Sequence, residues 1–159
     1  MNILTDLEIE RDKPEITEVT EEDIENILLK TREMVDLMVS KGGKGLSAPQ
    51  VGINKKFFIM ETFPEKVEII INPIYFYKKK DLTKSGELSL SNPNAYIVER
   101  AKEIEVKYYS TDGKKLIKKN RHLKGEKAFI FQSLTNYCKG ITLNSSALEE
   151  IPLDNKDEE

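Results

Sequence analysis

The chain has 159 residues, a formal net charge of -3, 33% charged and 38% hydrophobic residues and one cysteine. That length suits one core and a single domain, and that balance suits a solvated surface over a modest interior. Cys138 alone excludes an internal disulfide, and no stretch nears the roughly 18 apolar residues of a membrane span.

The opening residues, MNILTDLEIERDKP, hold no long apolar run, so no leader is expected and the protein is expected in the cytoplasm. Residues 78–80 and 114–121 are basic and 149–159 mostly acidic. Without interleaved aromatics the lysine runs read as solvated hairpin faces, so neither nucleic acid nor membrane is an expected partner.

After an irregular N-terminus, Thr20 with Asp23 three residues on predicts a helix start near Glu21. Ile24, Ile27, Leu28, Met34, Val35 and Met38 follow a 3.6-residue spacing, and Gly42 and Gly43 end the helix, which therefore packs on a core. From Lys55 the pattern turns to β: runs at 57–62, 67–71, 74–77, 96–99 and 103–109 predict an antiparallel region. Ser110-Thr111-Asp112-Gly113 predicts a turn into a short strand at 115–118. The apolar segment 128–138 between Gly125 and Gly140 reads as a buried helix, with a strand over 129–131 also open on periodicity alone. Beyond Leu148 the chain is too polar to order itself, which predicts one domain over 1–147 and a loose acidic tail over 148–159.

Residue types alone assemble no catalytic group. His122, the one histidine, lies in the basic stretch 118–122 and reads as a solvated turn residue without carboxylate or cysteine neighbours. Residues 43–52, GKGLSAPQVG, read by themselves as a helix-to-strand connection.

In its setting that decapeptide resembles the first signature of peptide deformylases, GxGLAAPQVG. Ser85-Gly86-Glu87-Leu88-Ser89 resembles the second, EGCLS, and residues 132–140, QSLTNYCKG, align with the third, QHExDHxxG. The resemblance covers roughly residues 20–145, with the signatures in family order. It implies an α+β fold of antiparallel sheets around a central helix, with a further helix near the N-terminus.

In that family one cysteine and two histidines hold a divalent metal, a glutamate moves protons, and a glutamine with a backbone amide stabilises the oxyanion. The resemblance places the ligand cysteine at Glu87, the ligand histidines at Ser133 and Tyr137, and the glutamate at Leu134. It therefore implies no intact catalytic residue, no metal and no cofactor. A single carboxylate with two neutral hydroxyls is a poor donor set, and Leu134 has no titratable group.

Gln50 and the Leu88 N–H remain as oxyanion-type donors, and Gly43 and Gly45 as the edge beside which the family adds its substrate as a strand. Glu87 is expected to hydrogen-bond the hydroxyls of Ser133 and Tyr137, and Cys138 to face away as a small buried hydrophobe. The expected function is a catalytically inactive deformylase-like protein that binds a peptide or a protein partner, a ribosome or a larger assembly. The alternative is an active, divergent peptide deformylase that relies on Glu87.

Overall fold

The computed structural model describes residues 1–64 and 66–153. Helix α1, Asp6–Asp12, replaces the expected irregular N-terminus. Thr5 caps it, because its Oγ1 accepts from the Glu8 N–H at 3.1 Å while the Glu8 carboxylate accepts from the Thr5 N–H at 2.9 Å. The turn Glu21–Asp23 leads into α2, Ile24–Ser40, with the Asp23 carboxylate accepting from the Thr20 N–H at 2.8 Å as the sequence predicts.

Strands β1 (Gly45–Ser47), β2 (Phe57–Phe63), β3 (Lys66–Phe76), β6 (Glu103–Thr111) and β7 (Leu116–Lys124) form one antiparallel sheet in the order β1-β2-β3-β6-β7. Strands β4 (Leu82–Ser89), β5 (Asn92–Ala101) and β8 (Glu149–Ile151) form a second in the order β4-β5-β8. Helix α3, Glu126–Tyr137, packs against strands of both sheets, and α4, Leu143–Ser146, follows it. The α+β expectation holds, and the segment left open between helix and strand is helical.

Strand β2 explains why α3 is central. Side chains alternate across a strand, so Phe58 and Met60 join the cluster around Phe131 and Leu134 of α3, while Phe57 and Ile59 join Met34 and Met38 of α2. Both faces are covered, and the strand is apolar throughout its middle.

The runs predicted at 67–71 and 74–77 belong to one strand, β3, with an irregularity between Ile71 and Ile74. Asn72 sits there at φ 50°, a conformation asparagine tolerates. Its amide donates to the Val19 carbonyl at 3.0 Å and accepts from the Val19 N–H at 2.8 Å.

The predicted turn at 110–113 joins β6 to β7, with the Asp112 carboxylate accepting from the N–H groups of Lys114 and Lys115. Strand β7 runs on to Lys124, further than expected. Residues 149–151, expected to be loose, pair with β5 because Leu148 donates its N–H to the Ile97 carbonyl and sets the register. Residues 154–159 of the expected tail lie outside the described residues.

Candidate functional site

Between β1, β4 and α3 lies a groove of about 870 Å³. It is lined by Gly43, Gly45 and Gln50, by Glu87 and Leu88, and by Ser133, Leu134 and Tyr137. The fold thus brings every residue singled out from the three signatures to one place, although they lie up to 94 positions apart in the chain (137 minus 43).

Of the expected network Glu87 keeps the Ser133 hydroxyl but not that of Tyr137. The Arg100 guanidinium holds its carboxylate in a two-pronged pair, Nε to Oε2 at 3.1 Å and Nη2 to Oε1 at 3.2 Å. The two side chains are 11% and 5% exposed, so solvent screens the pair little. Burial pushes the Glu87 carboxyl above the usual carboxylate range, against the opposing charge and hydrogen bonds of Arg100 and smaller contributions from the Ser85 and Ser133 hydroxyls.

Tyr137 turns to a different acid. Its hydroxyl donates to Oδ1 of Asp6 at 2.7 Å, lies 2.9 Å from Oγ of Ser89 and accepts from the Leu143 N–H at 3.3 Å. Asp6 is itself buried and also accepts from Asn92 Nδ2 and the Asn144 N–H, both at 3.0 Å. Burial raises the Asp6 carboxyl despite these three donors, and burial together with the Asp6 charge raises the Tyr137 phenol far above its ordinary value. The phenol therefore stays protonated.

Gln50 lies in the same chain of bonds. Its Oε1 accepts from the Ser47 N–H and hydroxyl, each at 2.9 Å, and its Nε2 donates to Ser89 at 3.3 Å and Ser91 at 3.0 Å. Both amide hydrogens are used inside the protein.

Leu134 is 6% exposed and packs against β1 so closely that a Cβ built on Gly45 would stand 2.5 Å from its Cδ1. Gln132 pins the helix: its Oε1 accepts from the Ala101 N–H at 2.9 Å, and its Nε2 donates to the Ala101 carbonyl at 2.8 Å. Cys138 is not among the groove's lining but lies in the buried cluster with Leu134 and Phe131, its Sγ 3.5 Å from the Phe57 carbonyl, and full burial raises its thiol pKa.

These donors do not fit a divalent metal. Metal ligands must shed their protons, yet Glu87 is committed to a guanidinium, Ser133 is a neutral alcohol and Tyr137 is a protonated phenol bound to Asp6.

The model for the polypeptide deformylase family matches residues 7–150. The chain belongs to that family. It is 33% identical over 120 residues to the peptide deformylase of Thermotoga maritima, a match covering 75% of this chain and 71% of the relative. The peptide deformylase of a Synechocystis strain is 39% identical over 88 residues, covering 52% and 47%. The solved T. maritima peptide deformylase superposes with a TM-score of 0.79 at 28% identity, covering 93% of this chain and 97% of that one. A probable peptide deformylase of the Synechococcus phage S-SSM7 gives 0.79 at 29%, covering 92% and 99%.

Outside the groove, His122 corrects the sequence reading. It lies on β7, not in a turn, and its ring nitrogens are 2.6 Å from Glu105 and 3.0 Å from Glu103 across the β6–β7 pair. Those carboxylates raise its pKa. Alternation places the neighbours Glu103 and Glu105 on one face of β6, a signal readable once β6 and β7 are paired. Arg100 and Asp6 went unread because their partners are fixed only by the assembled fold.

Proposed function

We propose that this chain is a deformylase-fold binding protein that does not remove formyl groups. The observation that carries the reading is the pairing of Glu87 with Arg100, which places a neutralised ion pair where the family resemblance puts a metal ligand. Leu134 stands at the position of the proton-transferring acid and offers no proton.

What supports binding is the edge the groove keeps. Gly45 opposes Met60 while the Glu61 N–H donates to the Lys44 carbonyl, so the N–H and C=O of Gly45 itself point away from β2 toward the groove. An extended peptide can pair there, between β1 and Leu88 of β4, which sits at an irregularity in the β4–β5 ladder with its side chain exposed. Gly43 keeps the entrance narrow, since a Cβ there would meet Leu90 at 2.8 Å. Gln50 joins such a ligand only by exchanging a bond to Ser89 or Ser91.

A tripeptide, N-formyl-Met-Ala-Ser, titrated into the labelled protein tests this. The expected result is amide shifts at Gly43, Gly45 and Leu88 with the peptide's mass unchanged. Loss of the formyl group that disappears in Glu87→Ala would instead establish the active, divergent peptide deformylase.

A further inference from the structure

The floor of the groove answers no charge on a ligand. Glu87 is closed on Arg100, whose side chain is 5% exposed, the Tyr137 hydroxyl is held by Asp6, and the Gln50 amide is spent on Ser89 and Ser91. Around them the walls are apolar, with Leu90, Phe129, Ile130 and Leu134 in the lining and Leu88 left 69% exposed. The interior therefore offers a ligand apolar contact and the backbone of Gly45, and neither of these reads charge.

Charge is read at the rim. The charged side chains of the lining are Lys41, Lys44, Lys84, Glu87 and Glu126. Lys44 pairs with Glu126 at 3.2 Å and Glu87 with Arg100, which leaves Lys41 and Lys84 exposed and without an ion pair among the described residues. Glu99 opposes Lys84 in the β4–β5 register, yet the two form no ion pair. The groove is thus apolar within and net positive at its mouth, a field that favours acidic segments and disfavours basic ones. Side chains alternate along an extended strand. A ligand strand beside Gly45 that points one side chain inward, to Ile130 and Leu134, points the neighbours of that residue outward.

We propose that the groove selects an extended partner segment in which an apolar residue alternates with acidic ones, the apolar side chain lying against Ile130 and Leu134 and the acids answering Lys41 and Lys84. This names the chemistry of the ligand and rests on the binding reading of the same groove.

Three C-terminally amidated peptides of one length separate charge from burial: N-formyl-Met-Glu-Ala-Glu, N-formyl-Met-Gln-Ala-Gln and N-formyl-Met-Lys-Ala-Lys. Each is titrated into the labelled full chain, and affinity is read from the Gly43, Gly45 and Leu88 amides. The acidic peptide is expected to bind about fivefold more tightly than the neutral one, as two rim contacts of modest strength imply, and the basic peptide most weakly. The preference is expected to collapse in about 0.5 M salt, which screens exposed charges. In Lys41→Glu/Lys84→Glu the order is expected to reverse, with the basic peptide bound most tightly. Equal affinity for the three peptides would overturn the proposal and leave the binding reading intact. An acidic preference that persists in the doubly reversed variant would overturn the assignment to Lys41 and Lys84, and binding of none of the three would overturn the binding reading as well.

Discussion

Replacing Arg100 by leucine leaves Glu87, only 11% exposed, with no counter-charge. Breaking a buried pair from one side costs about 3–5 kcal/mol. At about 2–4 °C per kcal/mol for a domain of this size, that is a fall of roughly 6–20 °C in melting temperature. Replacing both partners, Glu87→Leu/Arg100→Leu, removes the stranded charge and is expected near the native stability.

The pH dependence has a definite sign. Burial already raises the Glu87 carboxyl, and loss of Arg100 raises it further. A carboxyl whose folded pKa exceeds its unfolded value contributes most below the unfolded value, near 4.5, and loses that contribution as pH rises through the folded one. The Arg100→Leu deficit is therefore smallest at pH 5 and largest at pH 8. Urea unfolding of the four proteins of the double-mutant cycle at both pH values measures this. Additive costs, or an Arg100→Leu deficit that does not grow with pH, would refute the reasoning.

Gly45→Ala forces its Cβ toward Leu134 and should cost about 1–3 kcal/mol, and distinctly less in a Leu134→Ala background; chemical denaturation of both pairs checks the close packing of Leu134 on β1. Tyr137→Phe removes a 2.7 Å hydrogen bond to a buried carboxylate and should cost about 1.5–3 kcal/mol in the same assay, with no loss beyond scatter if Asp6 finds another donor. His122 should titrate above the ordinary imidazole value of 6.5 by proton NMR and return toward it in Glu103→Gln/Glu105→Gln. Its pairing stabilises the fold fully below pH 6.5 and loses that contribution as pH rises through the raised pKa, so an unshifted titration contradicts the contacts.

Much of this architecture was legible from local patterns. Thr20 with Asp23 marked the start of α2, alternation marked β5 and β6, and Asp112-Gly113 marked the hairpin. Helix α1 was legible too, since Thr5 and Glu8 have the spacing of a capping box, but its few apolar residues show no helical stripe. The extents of β3 and β7 were obscured by Pro73 in the one and by a lysine-rich edge in the other.

The groove's residues came together through the family resemblance, not through residue chemistry. What fills their environment was hidden for a different reason. Glu87 and Arg100 lie diagonally across β4 and β5, where Glu87 opposes Tyr96 and Arg100 opposes Thr83, so the pair needs the register before it can be seen. Asp6 meets Tyr137 over 131 positions, a contact no local pattern announces.

The central claim is tested most directly by purifying the chain anaerobically with iron, nickel, cobalt or zinc supplied in turn, and measuring bound metal per chain beside hydrolysis of a formyl-methionyl peptide. The account predicts sub-stoichiometric metal and no turnover with any of the four. One tightly bound metal per chain together with turnover would contradict it, and would require the Glu87–Arg100 pair to open.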